Sequence, residues 1–207
     1  MKSAFRSVPP AHFVCGLLLL ALAACGDKSL QPLAEDASIL AFGDSLTQGR
    51  GTSPERSYPA VLAELSGRNV INRGVSGETT EEGLQRLPQV LDDTQPDLLL
   101  LMHGGNDILR NLSPSQAKSN LQDMINLAKD RDIPVVLVGI PEKKLFSSSA
   151  PLYQELATEN NLVFEDDIIS GLLKKPAMKS DSVHFNSAGY AAIAKEIFSL
   201  LESEGAL

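Results

Sequence analysis

The sequence predicts an α/β protein, a three-layer α/β/α sandwich around a parallel five-stranded sheet. Two observations lead to this prediction. Apolar runs such as Leu98-Leu99-Leu100-Leu101 and Val135-Val136-Leu137-Val138 do not alternate with polar residues, which is typical of strands covered on both faces. These runs alternate along the chain with amphipathic segments, and this order is typical of strands connected by crossover helices.

The first 24 residues have the features of a bacterial lipoprotein signal peptide. A cationic start precedes an apolar run, residues 13–24, that is too short to span a bilayer. The run leads into Leu22-Ala23-Ala24-Cys25, which resembles a lipobox, where cleavage exposes a cysteine that carries lipid. Ala21-Leu22-Ala23 also fits ordinary cleavage, which would yield a soluble exported protein.

Residues 25–37 are predicted to form a tether between a lipid on Cys25 and a folded domain over residues 38–207. The tether is polar, contains Pro32 and shows no periodicity, so we expect it to be mobile. Apart from Cys25 the mature chain has no cysteine, which excludes an internal disulfide and a cysteine metal cluster. Its length of about 180 residues suffices for one hydrophobic core.

Five strands are predicted within the domain. Each is a short run rich in apolar residues, which indicates a buried strand. In chain order they are Ile39–Phe42, Val70–Ile71, Asp97–Met102, Pro134–Ile140 and Leu162–Phe164.

Four helices are predicted from periodicity and end signals. The first covers Tyr58–Leu65 and stops near a glycine. Thr79 and Glu82 have the spacing of a capping box at the start of the second. Ser113-Pro114 opens the third, with proline at the first helical position. The last helix runs from about Ser187 to Leu201.

The first three strands each lead into a segment rich in glycine and small polar residues. These segments are Gly43-Asp44-Ser45, residues 72–77 and His103-Gly104-Gly105-Asn106-Asp107. Because the carboxyl ends of parallel strands lie on one rim of the sheet, we expect the functional site there.

A serine on a strand-to-helix turn, with a histidine and a carboxylate elsewhere, is the composition that a nucleophilic hydrolase needs. Four blocks occur in order: Ser45 in Gly43-Asp44-Ser45-Leu46, Gly77 in Val75-Ser76-Gly77-Glu78-Thr79, Asn106 in Gly104-Gly105-Asn106-Asp107, and Asp181 with His184. Together they resemble the GDSL or SGNH hydrolase family, from about residue 38 to 201. The nearest subgroup is the bacterial thioesterase I, lysophospholipase and arylesterase type, and the family's flavodoxin-like sandwich agrees with the predicted fold.

The resemblance implies a serine esterase that acts through an acyl-serine intermediate, without a metal or an organic cofactor. Ser45 would be the nucleophile, His184 its base, and Asp181 the carboxylate that orients the imidazole. The amide of Ser45, the amide of Gly77 and the side-chain amide of Asn106 would form the oxyanion hole.

Each of these residues also has an ordinary structural interpretation. Ser45 is placed where a helix cap would be, and Asp181 is placed where a loop carboxylate would be. Asn106 would be a turn residue and Gly77 a turn glycine, with Gly74 the competing candidate for the oxyanion amide.

Three polar residues near the blocks are predicted to be structural. His103 is expected to be a satisfied strand-end histidine, while Asp44 and Asp107 are expected to tie loops together through backbone amides. Thr47 occupies the second glycine position of a Gly-x-Ser-x-Gly elbow, which argues against the α/β-hydrolase fold.

Substrate choice is less constrained. Ile108 and Leu109 would line a groove for an acyl chain, or they would anchor the next helix, and the sequence favours neither. The chain has no tryptophan and few aromatic residues, which lowers the case for a sugar-stacking carbohydrate O-acetyl esterase. A non-catalytic envelope lipoprotein with the same fold is the other alternative.

The net charge of −8 becomes −10 when Lys2 and Arg6 leave with the signal, so nucleic-acid binding is not expected. The expected partners are a small acyl ester or thioester and a membrane reached through lipid on Cys25. Gly26 favours the outer membrane as the location, with a soluble periplasmic or secreted protein as the alternative.

Overall fold

A computed structural model describes Met1, residues 29–143 and residues 148–207. Cys25 and most of the predicted signal lie outside the described residues. Within the described ranges, no helix has both the length and the apolar character that crossing a membrane requires.

Five parallel strands form one sheet in the order β2-β1-β3-β4-β5. The strands are β1 Ser38–Gly43, β2 Asn69–Gly74, β3 Leu98–Met102, β4 Val135–Val138 and β5 Val163–Glu165. The predicted fold class is therefore confirmed. β1 has β2 on one side and β3 on the other, so the order in which strands are added to the sheet reverses between β1 and β3. In parallel sheets a crevice opens at the carboxyl ends of the strands at this point.

Burial explains where the strand predictions succeed and fail. All residues of β3 and β4 are buried, as their continuous apolar runs predict. β2 extends well beyond the predicted pair Val70–Ile71, because it is an edge strand and tolerates polar residues. β4 is shorter than the predicted Pro134–Ile140, since its ladder ends at Val138.

Helices cover both faces of the sheet. Among the longer ones, α2 and α8 pack together with α7 on one side, and α3, α5 and α6 lie on the other. The helices are α1 Ser45–Gln48, α2 Tyr58–Ser66, α3 Thr80–Thr94, α4 Gly105–Leu109, α5 Pro114–Lys129, α6 Pro151–Asn160, α7 Ile168–Leu173 and α8 Ser187–Ser203. The sequence predicted α2, α3, α5 and α8. The short helices α1 and α4 directly follow β1 and β3.

The N-terminal segment differs from the predicted tether. The Leu30 amide donates to the carbonyl of Glu204 (3.1 Å), and the Leu33 amide donates to that of Ala206 (2.9 Å). The side chain of Leu30 is buried. Residues 29–37 therefore belong to the folded unit, because their few apolar side chains find a surface at the end of α8.

Candidate active site

Ser45 lies on a tight turn between β1 and α1. The turn requires glycine before it, because a Cβ on Gly43 would overlap the Met102 carbonyl oxygen. Asp44 is the N-cap of α1, and its Oδ1 accepts from the Leu46 amide at 3.1 Å. Gly49, with φ of 91°, ends the helix after one turn. Ser45 is thus the first helical residue at the carboxyl rim of the sheet.

His184 lies beside Ser45, although 139 positions separate them in sequence. The distance from Ser45 Oγ to His184 Nε2 is 3.1 Å, and the distance from His184 Nδ1 to Asp181 Oδ2 is 2.7 Å. The other oxygen of Asp181 accepts from the amides of Val183 (2.9 Å) and His184 (2.8 Å). A single short loop therefore presents both the imidazole and its carboxylate.

The charge state of Asp181 fits this geometry. Partial desolvation raises its pKa, but hydrogen bonds from the Val183 amide and from the imidazole and amide of His184 outweigh it and lower the pKa to about 2. The ionised carboxylate accepts a hydrogen bond from Nδ1, so Nε2 is the nitrogen available to accept a proton from Ser45.

Each of the three predicted oxyanion donors has a hydrogen that is free to bind an oxyanion. Gly77 has φ of 86°, and across the described residues its amide donates to no acceptor. Asn106 Nδ2 donates one hydrogen to the Glu78 carbonyl at 3.0 Å, which leaves its second hydrogen available. The amide of Ser45, at the first position of a helix, has no intrahelical acceptor.

Gly74, the competing candidate, has another role. Its amide donates to Asn72 Oδ1 at 2.9 Å. A Cβ on Gly74 would overlap the backbone nitrogen of Gln48. Gly74 therefore permits close packing of β2 against α1, and its amide is already engaged.

The residues predicted to be structural make the hydrogen bonds expected of that role. Asp44 Oδ2 accepts from the Gly105 amide at 3.1 Å, and Asp107 accepts from the amide (2.9 Å) and hydroxyl (2.7 Å) of Thr80. Burial raises the pKa of Asp44, against the opposing effects of His103 and of the amides that it accepts from. His103 is fully buried and hydrogen-bonded at both ring nitrogens.

Two supporting residues were not predicted. Asn72 Nδ2 donates to the Thr47 carbonyl at 3.0 Å, which fixes the turn that carries Ser45. Arg110 Nη2 donates to the Gly77 carbonyl at 2.6 Å. Asn72 was recognisable as a polar residue at a strand end, whereas the Arg110 contact spans 33 positions and has no local signal.

A cavity of about 330 Å³ opens beside the serine. Ser45, Asn106 and His184 contribute to its wall, together with apolar residues, among them Ile108, Leu109, Ile140, Ile169, Leu173 and Val183. Of the predicted site residues that the structure describes, Gly77 and Asp181 lie outside this lining. Within residues 29–143 and 148–207, no group of three or more His, Cys, Asp or Glu side chains is arranged to hold a metal ion.

The chain matches the profile of the GDSL-like lipase/acylhydrolase family over residues 41–192. It belongs to this family. The GDSL hydrolase is 36% identical over 157 residues to the arylesterase of Vibrio mimicus, covering 70% of this chain and 78% of the relative. It is 30% identical over 165 residues to thioesterase 1/protease 1/lysophospholipase L1 of Escherichia coli K12, covering 76% and 79%.

A solved structure agrees with both fold and family. The crystal structure of AlinE4, an SGNH-hydrolase family esterase, superposes with a TM-score of 0.63 at 33% identity and covers 82% of this chain and 95% of that one. The predicted family is confirmed, and the GDSL hydrolase is an SGNH-type serine esterase that acts on ester or thioester bonds.

Proposed function

We propose that Ser45, His184 and Asp181 are the catalytic residues of this GDSL hydrolase. The observation that carries the proposal is the unbroken series of contacts from Ser45 Oγ through both nitrogens of His184 to Asp181. His184 Nε2 takes the hydroxyl proton as Ser45 attacks the acyl carbonyl, and it returns that proton to the departing alcohol or thiol. Water then attacks acyl-Ser45 in the same manner and releases the acid.

The negative charge that develops on the carbonyl oxygen requires donors. The amides of Ser45 and Gly77 and the side chain of Asn106 are proposed to supply them, since each has a hydrogen without an acceptor in its ordinary interactions. All three are neutral donors and remain donors throughout the reaction. Removal of one such donor from a hydrolase costs about 3 kcal/mol of transition-state stabilisation.

The proposed substrates are acyl esters or thioesters with an apolar chain. Ile108 and Leu109 line the cavity beside Ser45. Leu109 is 43% exposed and does not serve as a core anchor, whereas Ile108 also packs against the core. Apolar walls suit an acyl chain better than a sugar, whose hydroxyls would lose their hydrogen bonds to water there. The names of the two relatives point to aryl esters, acyl thioesters and lysophospholipids as the compounds to compare first.

Rates on these compounds decide the substrate. We expect measurable hydrolysis of a p-nitrophenyl ester, an acyl-coenzyme A and a lysophospholipid, each at equal acyl length. Hydrolysis confined to an acetylated sugar would instead support a carbohydrate O-acetyl esterase.

The catalytic role of Ser45 is tested by Ser45→Ala. Hydrolysis of short-acyl p-nitrophenyl esters should fall by about three orders of magnitude or more, because the nucleophile is gone, while circular dichroism stays unchanged. Ser203→Ala is a matched control, since Ser203 Oγ donates to the Leu200 carbonyl in its own helix, near the end of α8 that lies away from His184. Full activity in Ser45→Ala would overturn the proposal.

Export and lipidation of Cys25 are proposed from the sequence, with the outer membrane as the favoured location. Labelling of cells with radioactive palmitate should mark the protein, and Cys25→Ser should abolish the label. An unlabelled parent protein would support the soluble periplasmic or secreted alternative.

A further inference from the structure

A buried ionic cluster lies next to the proposed oxyanion hole. The Glu78 carboxylate accepts two hydrogen bonds from Arg86, at 2.8 and 2.6 Å, and lies 3.1 Å from His103 Nε2. Glu78 is 6% exposed and His103 is fully buried, whereas the Arg86 side chain is 26% exposed. None of the three lines the cavity beside Ser45. Burying a charge is costly, so this cluster invites a functional explanation beyond the packing of the core.

The protonation of the cluster follows from its hydrogen bonds. The Gly104 amide donates to His103 Nδ1 at 2.9 Å, so Nδ1 carries no proton and Nε2 carries the hydrogen that Glu78 accepts. Burial raises the pKa of Glu78, but the bonds from His103 and Arg86 outweigh it and leave the pKa below its ordinary value. Glu78 is thus a carboxylate held by one neutral donor and one cationic donor.

The two donors anchor Glu78 to the carboxyl edge of the sheet. Arg86, on α3, also donates to the Arg73 carbonyl in β2 at 3.1 Å, and its guanidinium lies 4.2 Å from the centre of the Phe42 ring in β1. His103 directly follows β3. His103 packs directly against α3, because a Cβ on Gly83 in that helix would overlap His103 Nε2. The position of Glu78 is therefore determined by three strands and one helix.

Glu78 is linked to two of the proposed oxyanion donors. It directly follows Gly77, and its own carbonyl accepts the hydrogen bond from Asn106 Nδ2 at 3.0 Å. Gly77 has no Cβ and can adopt many backbone conformations besides the left-handed one that it holds (φ 86°). The direction of its amide therefore depends on how the flanking residues are held. One residue thus fixes the backbone beside the first donor and the rotamer of the second.

We propose that Glu78, held by Arg86 and His103, is a positioning residue that aligns the Gly77 amide and the Asn106 side chain for the same oxyanion. This inference rests on the proposed function. It explains why an ionic cluster is buried here, because small displacements of oxyanion donors reduce transition-state stabilisation more than substrate binding.

Glu78→Gln tests the role, because it keeps the shape and removes the charge that Arg86 requires. We expect kcat on a short-acyl p-nitrophenyl ester to fall about 10-fold or more, with KM changed less than about 3-fold. Affinity for a trifluoromethyl ketone, whose adduct with the serine carries an oxyanion, should fall by the same factor as kcat/KM. Arg86→Lys retains the charge but not the fork of two bonds, so it should show a smaller loss of the same kind.

The control is Asp92→Asn, which removes an exposed ion pair with Arg131 from the same helix and should leave kcat unchanged. All rates are normalised to active sites titrated with a phosphonate. Glu78→Gln and Arg86→Lys that melt at lower temperature but keep wild-type kcat and ketone affinity would overturn the positioning role, as would a rise in KM alone. Activity retained by Ser45→Ala would instead overturn the proposed function, so the two failures are distinguishable.

Discussion

Gly77 combines a left-handed backbone with an unobstructed position. A Cβ added there would meet only Arg110 Nη2, at 3.8 Å, so an alanine fits without a clash. The residue nevertheless holds φ of 86°, which alanine disfavours by about 1 kcal/mol or more. Glycine is needed here for its backbone conformation and not for space.

This feature leads to a prediction with a matched control. Gly77→Ala should lower kcat about 10-fold or more, because a relaxed backbone would turn the amide away from the oxyanion. Gly67→Ala introduces the same kind of strain at φ of 66°, in open space at the end of α2. The free energy of unfolding measured in denaturant titrations should fall by a similar amount in both variants. Only Gly77→Ala should have a lower kcat. Equal activity in the two variants would remove Gly77 from the oxyanion hole.

For individual residues, the sequence predicts the proposed catalytic residues better than it predicts the residues that hold them in place. Ser45, Asn106 and the Asp181-His184 pair were predicted because their blocks carry the chemistry in short motifs, and the structure brings them to one rim. The choice between Gly77 and Gly74 was open, because it depends on which amide Asn72 already engages. The contacts of Glu78 with Arg86 and His103 were not predictable, since they join residues that only the folded sheet brings together.

The N-cap of α8 links helix stability to the loop that carries His184. Asn186 Oδ1 accepts from the amides of Ala188 (3.0 Å) and Gly189 (3.1 Å), which begins the helix. Its Nδ2 donates to the carbonyls of Ala177 (2.8 Å) and Lys179 (3.3 Å), just before Asp181. The side-chain oxygen of Asn186 therefore caps α8, and its side-chain nitrogen holds the segment before Asp181.

Asn186→Asp separates these roles. The carboxylate keeps the cap but loses the two donated bonds and repels both carbonyl oxygens, so the free energy of unfolding should fall by about 1 to 3 kcal/mol while kcat falls several-fold. Ser113→Ala is the control, because Ser113 caps α5 through the Gln116 amide and should cost about 1 kcal/mol without reducing kcat. Equilibrium denaturant titrations measure the free energy of unfolding, and steady-state kinetics measure kcat. An unchanged kcat in Asn186→Asp would show that the loop does not need this anchor.

Helices and strands were predicted where burial imposes a regular pattern. α3, α5 and α8 have capping signals or continuous periodicity, and all three were found. α7 was missed because it has only six residues and contains Gly171. α6 was missed because its buried residues, Tyr153, Leu156 and Ala157, are too few to stand out against its polar positions. In both helices tertiary packing outweighs the local signal.

For the molecule as a whole, residues 29–37 are an integral part of the fold. Leu30 is buried against the end of α8, and Arg68 Nη2 donates to the Leu33 carbonyl at 3.2 Å. The sequence did not predict this contact, because two leucines among polar residues form no periodic pattern. Packing across distant parts of the chain decides the boundary of the domain.

Leu30→Ala should therefore destabilise the protein by about 2 kcal/mol through the loss of buried surface. It should leave kcat and KM unchanged, because the length of α8, about 25 Å, separates Leu30 from the His184 end. Thermal melting and ester hydrolysis on the same preparation measure both effects. Leu65→Ala, at an exposed leucine, is the control and should change stability by less than about 0.5 kcal/mol. A Leu30→Ala variant as stable as the parent would show that the segment is dispensable.

The docking of the N-terminal segment also bears on where a lipid anchor at Cys25 would attach relative to the catalytic rim. Only three residues lie between Cys25 and Ser29, and at full extension the linker reaches about 14 Å. That reach is shorter than the roughly 25 Å of α8 that separates the segment from the catalytic rim. If Cys25 carries lipid, as proposed, its short linker would hold the bilayer nearer to the end of α8 that binds residues 29–37 than to the catalytic rim.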